Sequence, residues 1–364
     1  MLLSFLLRSL TLLLLPWQGY TSPSAPTTKH PPALLVIDPF IDFLHDPLLQ
    51  LCEERGIQVI DAVSGYTNAI LTNVGDTLPR NVVPEGLDWD DIRVWVKFVN
   101  TEHSEISCVL SESDVGISAA ERIVQACSFK GNKFSPQLRS KYEVNEICRS
   151  AGLKVVSQLL TDDWGKASEF IETLLPVTPS GSDEVEDAVN RNRNNQKGLE
   201  LSRRCVVKPY RGVASDGVSL CDTMEHARSS FEKLKGANTY GGGINEKVLI
   251  QEFADGTEYA MDTVSMDGQV KVLALWRYSK VSRMCNACVS IWIAIIPNCT
   301  QIQANGAPFV YQCTELVDNK DVETKEIVNY CVEAIKASGL KWGPTHTEVK
   351  MTKDGPRLIE INCR

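Results

Sequence analysis

The closing stretch of the chain, HTEVKMTKDGPRLIEINCR, admits one simple local fold. Lys353, Asp354 and Gly355 form a turn-forming cluster between two arms of alternating apolar character, so the arms pair as an antiparallel hairpin. Glu348 then falls opposite Glu360, and the two-residue period of a strand puts Glu360 and Asn362 on one face. Like charges facing each other across a sheet are destabilising unless a cation neutralises them. Leu358, Ile359 and Ile361 make the second arm mostly apolar, as expected of a strand inside a sheet rather than at its edge. Three oxygen-bearing side chains with no cysteine among them suit a hard ion, Mg2+ or Mn2+, which retains waters and binds substrate phosphates as well. A solvated polar face on an edge hairpin is the alternative reading of the same residues.

A metal that binds phosphates directs attention to phosphate sites. In VVKPYRGVASDGV a strand delivers Lys208 to its end, and Gly212, Ser215 and Gly217 follow in a short loop whose amides can face one concavity and hold an anion. The loop lacks the Gly-Lys-Ser/Thr ending of a P-loop. In VLIQEFADGTEYAMDTV a buried run leads directly into Gln251 and Glu252, and Glu258 follows a glycine turn. Taken singly, these are also what a surface lysine and a strand-turn-strand with exposed acids look like.

With 364 residues the chain has material for two or three domains. Its net charge of -9 argues against a general nucleic-acid binder, whose footprint would be basic. Residues 1–30 begin with an apolar run broken by Arg8 and continue with small and polar residues. That run is too short to span a bilayer comfortably, and it reads as a targeting or signal-like segment. A secretory signal, an organelle presequence and an overextended gene start that would leave a cytoplasmic protein all account for it. No later stretch looks transmembrane. Most of the 12 cysteines stand alone in apolar-periodic segments and read as reduced thiols; Cys285 and Cys288, with Cys299 and Cys313 at looser spacing, make a weak zinc pattern without a nearby histidine.

Residues 33–63 alternate strand, helix and strand, the pattern of a parallel α/β unit, and no GxGxxG follows the first strand. RVWVKFV reads as a further strand, and SPQLRSKYEVNEICRSAGL as a helix capped by Ser135 and stopped by Gly152. The helix of PLLQLCEERG, helices over 222–235 and 321–338, and a meander of strands complete the pattern. These readings divide the chain into a leader over 1–30, an N-terminal α/β domain over 31–130 and a second module over 131–364, with a polar insertion at 178–203.

In this order, Lys141 in RSKYEVNEICRSAGL, Lys208 before its glycine loop, the 251–258 segment and the terminal hairpin resemble the ATP-grasp superfamily from about residue 104 onward. GNKFSPQLRSKY, the Ser-Asp-Gly of the loop, EYAMDTVSMDGQVKVLALWRYSK and GPTHTEVK are similar to the branch of L-amino-acid ligases and carnosine-synthase-like enzymes. The resemblance implies a mixed α/β and α+β fold: a Rossmann-like parallel domain followed by an ATP-grasp module built of a small lid subdomain and an antiparallel-sheet subdomain. It implies that Lys141 and Lys208 hold the phosphates of ATP under the Gly212, Ser215 and Gly217 loop. Gln251 and Glu252 would meet adenine with backbone from Phe253 and Ala254, and Glu258 the ribose. Glu348, Glu360 and Asn362 would bind Mg2+ or Mn2+. Trp276 and Arg277 would line the substrate cleft, His346 would orient or deprotonate an amine, and Arg364 would stabilise an acylphosphate or tetrahedral intermediate.

Ser140 stands where the family often has Asp, and Gln251 where it usually has an acid. The family pattern continues past its Asn-x-Arg segment, so the chain is expected to be incomplete after Arg364. The activity implied is an ADP-forming carboxylate–amine ligase that joins amino acids or related small acids. The other readings are a different ATP-grasp enzyme, such as a carboxylase or a nucleotide-biosynthesis ligase, and a nucleotide-binding protein without turnover. The partners implied are small-molecule acids and amines, with a homodimer as an assembly the sequence allows.

Overall fold

The computed structural model describes residues 31–39, 42–76, 80–84, 88–100, 105–175, 204–212, 216–239, 243–281, 310–318 and 322–363. They fall into two units: unit 1 is Met1–Val155, Gly256–Ser279 and Cys313–Arg364, and unit 2 is Val156–Asp255 and Lys280–Gln312. The leader over 1–30, the insertion at 178–203 and the Cys285, Cys288 and Cys299 cluster lie outside the described residues.

Unit 1 opens with β1 (Pro32–Ile37), α1 (Asp42–Glu53), β2 (Gln58–Val63), α2 (Gly65–Asn73), β3 (Asn81–Val82), α3 (Trp89–Val99), β4 (Glu105–Ser111) and α4 (Ile117–Cys127). The strands form a parallel sheet in the order β3-β2-β1-β4, as the alternation of strand and helix predicts. β1 is buried on both faces: Leu35 and Ile37 pack with Ile92 and Ile123, while Leu34 and Val36 pack with Leu48 and Cys52. That double burial is why its sequence is a continuous apolar run.

Three expectations need correction here. The RVWVKFV segment is helix α3, not a strand. The Asp88 side chain accepts from the N–H groups of Asp90 and Asp91, and Ile92, Val96 and Val99 recur at helical spacing on the buried side, while Val94 and Phe98 are exposed. Its apolar density hides the period. The helix of PLLQLCEERG starts earlier, at Asp42, and carries Pro47 inside it. The helix expected from Ser135 is preceded instead by a 3-10 turn, Pro136–Arg139. Ser140 caps α5 (Lys141–Ser150), accepting from the Glu143 N–H at 3.2 Å, and Gly152 follows in the left-handed region. Lys141 thereby becomes the first residue of the helix.

Unit 2 contains β5 (Gln158–Thr161), α6 (Trp164–Leu174), β6 (Cys205–Pro209), β7 (Ser219–Cys221), α7 (Met224–Leu234) and β8 (Val248–Glu252). Its strands pair antiparallel in the order β5-β8-β6-β7. Cys205, Val207, Val248 and Ile250 form one face, packed under Ile171, Ala227 and Phe231 of the two helices. Lys208 and Gln251 belong to the alternate set of positions and so stand on the other face.

Unit 1 resumes with β9 (Thr257–Met266), β10 (Gln269–Val281), β11 (Val310–Val317), α8 (Val322–Ala337), β12 (Gly343–Thr352) and β13 (Gly355–Cys363), the sheet order being β11-β10-β9-β12-β13. The predicted terminal hairpin is present. Its second arm lies at the edge of the sheet and not inside it; the arm is apolar because α5 and α8 cover it, placing Leu358, Ile361 and Cys363 in one core with Val144, Cys148, Ile327, Cys331 and Ile335. Tyr330 of α8 accepts the Leu358 N–H at 3.0 Å, satisfying a backbone donor of this edge strand. At the start of β9, a Cβ on Gly256 would lie 2.0 Å from the Met351 carbonyl oxygen, so only glycine permits that approach.

At the carboxyl ends of the parallel strands, His45 Nε2 is 3.1 Å from Asp61 Oδ2 and Nδ1 is 3.3 Å from Glu112 Oε1. The hydrogen bonds with Asp61 and then Glu112 raise its pKa to about 10, against the opposing effect of burial. A pKa higher in the folded than in the unfolded chain stabilises the protein fully below the unfolded value of 6.5, and that contribution is lost as pH rises through about 10. The stability of the wild type, followed by thermal unfolding, should therefore fall across this window more steeply than that of His45→Gln. The difference expected is about 1–2 kcal/mol, because half-exposed Asp61 is screened by solvent. Parallel pH profiles for the two proteins would contradict the assignment.

Candidate functional site

Strand alternation sorts β12 into an inward set, Thr345, Thr347 and Val349, and an outward set, His346, Glu348 and Lys350. On β13, plain alternation would put Leu358 on the same face as Glu360 and Asn362. A bulge prevents this. Glu348 pairs with Glu360 and Val349 with Leu358, so Ile359 is the extra residue and the phase shifts by one. Leu358 enters the core, while Glu360 and Asn362 stand on the outward face with Glu348. β9 adds Glu258, Ala260 and Asp262, which are in register with Lys350, Glu348 and His346.

These side chains interlock. Asp262, 2% exposed, accepts from Trp276 Nε1 at 2.6 Å and from His346 Nδ1 at 2.7 Å. His346 Nε2 lies 3.5 Å from Glu348 Oε1 and 3.3 Å from the Tyr278 hydroxyl. Lys141 Nζ is 2.9 Å from Glu360 Oε2, and Asn362 Nδ2 donates to Glu360 Oε1 at 2.9 Å. Lys350 Nζ is 3.5 Å from Glu258 Oε2. Each member of the Glu348 and Glu360 pair thus faces a protein cation. Burial works against a charge on His346, yet its hydrogen bonds with Asp262 and Glu348 outweigh that and raise its pKa to about 10, so it is an imidazolium at neutral pH.

The structure gathers Lys141, Glu258, Trp276, His346, Glu348, Glu360 and Asn362 on this face of unit 1. Arg277 is next to Trp276 in sequence and so projects the other way, where its guanidinium pairs with Glu315 of β11. Within unit 2, Lys208 is buried and Gln251, 3% exposed, donates from Nε2 to Gln158 Oε1 at 2.9 Å. Glu252 Oε2 accepts the Ser157 N–H at 3.0 Å, the Arg204 guanidinium lies over the Phe253 ring at 4.3 Å, and Ala254 is buried. Gly212 follows β6, and Gly217 has φ +68. Ser215 and Arg364 lie outside the described residues.

Asp262, Tyr278 and Lys350 are members of the outward face that the sequence reading passed over. The signal was available: Glu258, Ala260 and Asp262 repeat every second residue of EYAMDTV, as do Glu348 and Lys350 of EVK. Glu348, Glu360 and Asn362 together offer an all-oxygen donor set of the kind a hard divalent ion takes. Among the described residues no group of three or more His, Cys, Asp and Glu side chains is assembled as a metal cluster.

A family model described as an ATP-grasp domain matches residues 166–364. Dapdiamide A synthase of Enterobacter agglomerans is 30% identical over 159 residues, 44% of this chain and 32% of that protein. A second curated protein matches over 29% of its length, so the matched stretch is under a third of either relative. Among solved structures, an L-amino acid ligase from Bacillus licheniformis has a TM-score of 0.59 at 19% identity, covering 93% of this chain and 68% of that one. The VanG D-Ala:D-Ser ligase of Enterococcus faecalis has a TM-score of 0.54 at 14% identity, covering 92% and 90%. At such identities the structural likeness shows the fold, which is the mixed α/β arrangement expected.

The coupling of His346 to Asp262 can be read directly. In Asp262→Asn the ring should titrate at lower pH than in the wild type, toward the ordinary value of 6.5, because one of its two carboxylate partners is gone. Following the His346 ring protons by NMR against pH measures this, and an unmoved titration would show that Asp262 does not set the charge.

Proposed function

Because the chain belongs to the ATP-grasp family, we propose that it is an ADP-forming carboxylate–amine ligase, joining amino acids or related small acids through an acylphosphate. The observation that carries the reading is the outward face of unit 1, where Glu348, Glu360 and Asn362 present oxygen donors beside Lys141. The likeness to dapdiamide A synthase and to an L-amino acid ligase supports the substrate class.

In this reading a substrate carboxylate attacks the γ-phosphorus of ATP, ADP leaves, and an amine displaces phosphate from the acyl group to form the amide. Glu348, Glu360 and Asn362 would hold Mg2+, which when bound would screen the phosphate charge. Lys141 and Lys208 neutralise phosphate oxygens, and Lys208 gains from its burial, where a charge–charge interaction is less screened. Gln251 and Glu252, with the backbone of Phe253 and Ala254, receive adenine, and Glu258 the ribose. Gln251 carries an amide where an acid is usual, so it meets the adenine edge without adding charge. Trp276 lines the acceptor side, fixed by its bond to Asp262, and Arg364 stabilises charge on the reacting acyl group.

The test is to incubate the protein with ATP, Mg2+ and a pool of amino acids, reading nucleotides and new masses together by mass spectrometry. ADP should appear with a condensed product, and Glu360→Ala should reduce both by about 100-fold or more. AMP in place of ADP would exclude the acylphosphate route, and equal turnover in Glu360→Ala would remove the residue from the site.

A further inference from the structure

The sheet of unit 2 holds two thiols that the ligase reading does not use. Cys205 on β6 and Cys221 on β7 are direct partners in the antiparallel register, and both are free and completely buried. Antiparallel partners have Cα atoms about 4.5 or 5.5 Å apart, and either spacing lies within the roughly 4.4–6.8 Å that a disulfide spans. Both side chains turn to the same core, with Val207, Ile250 and Phe231. Cys221 Sγ lies 3.8 Å from Ser230 Oγ of α7. We propose that Cys205 and Cys221 form a redox-active dithiol, which a small-molecule disulfide converts into a cross-strand disulfide and a small-molecule thiol restores.

The hydrogen bond from Cys205 to Cys221 lowers the pKa of Cys221, burial opposes it, and Ser230 supports it; Cys205 is raised by the same bond. Cys221, on the edge strand β7, is the thiol that meets the reagent first and attacks it as the thiolate. It displaces one thiolate from the reagent and forms a mixed disulfide. Cys205, losing its proton, then attacks the Cys221 sulfur and expels the second thiolate. The two protein protons end on the two released thiols, and the two electrons lost by the protein reduce the reagent. Access needs only local opening of β7, a three-residue strand at the edge of its sheet. The contrast is with Cys148 and Cys331 of unit 1, whose thiols burial alone pushes up. Lys208 follows on the same strand as Cys205, but the cross-link does not depend on any role for it in nucleotide binding.

The full chain should be equilibrated in glutathione buffers of graded oxidised-to-reduced ratio, quenched with an alkylating agent in denaturant, and mapped by mass spectrometry. A peptide pair joined through Cys205 and Cys221 and two hydrogens lighter than the separate thiols should appear as the ratio rises, and should vanish with dithiothreitol. Cys148 and Cys331 should stay alkylatable throughout. Closing the ring between the two cysteines restrains the unfolded chain, so the oxidised protein should also melt at a higher temperature than the reduced one. Full alkylation of both cysteines in the most oxidising buffer would overturn the proposal, as would linkage of either one to a different cysteine or a lower melting temperature on oxidation. The map uses the wild-type chain, so it does not depend on a variant that folds. In Cys221→Ala, Cys205 should fail to enter any intramolecular link.

Discussion

Two carboxylates that face each other across one hairpin set the terms for the larger sheet of unit 1. Glu348 and Glu360 are in register, and at that separation like charges repel. The protein answers with cations: Lys141 at Glu360 and His346 beside Glu348. His346 is held charged in turn by Asp262, an almost fully buried carboxylate that would be costly without the donors Trp276 and His346. The demand for neutrality is thus passed across β13, β12, β9 and β10, and to the first residue of α5. Removing one partner from such a chain leaves a buried charge uncompensated, a larger penalty than the loss of a surface pair.

The same constraint explains local choices elsewhere in unit 1. Ser140 ends the 3-10 turn and caps α5, which fixes Lys141 at the helix start, where it reaches Glu360. Ile359 is bulged so that an apolar residue, Leu358, and an acidic one, Glu360, can be two apart in sequence yet face opposite sides. Without that extra residue the strand would bury a carboxylate or expose a leucine. The bulge separates the core under α5 and α8 from the polar face, and it does so on the strand least constrained by neighbours, the edge.

Much of this was legible in the sequence because it rests on short-range rules. The opposition of Glu348 and Glu360 follows from a turn at Lys353 to Gly355 and a period of two. The parallel sheet follows from apolar runs spaced by amphipathic helices. What the sequence concealed depends on phase and on neighbours distant along the chain. RVWVKFV has apolar residues so dense that strand and helix periods both fit, and the Asp88 cap decided for the helix. The Ile359 bulge leaves no mark in the one-letter code, since Leu-Ile-Glu-Ile reads equally well without it. The edge position of β13 was hidden because cover from helices makes an edge strand as apolar as a central one. Arg277 illustrates the reverse error: its neighbour Trp276 reaches the polar face, and alternation alone should have sent the arginine to the other side, where Glu315 waits on β11.

The charge on His346 bears on what that residue would contribute to the amide formation proposed above. A general base must be neutral and hold a vacant lone pair near the operating pH. Without a metal on Glu348, the hydrogen bonds with Asp262 and Glu348 raise the pKa of this imidazole to about 10, so that both nitrogens donate. It holds Glu348 through Nε2 and is held in turn by Asp262 through Nδ1.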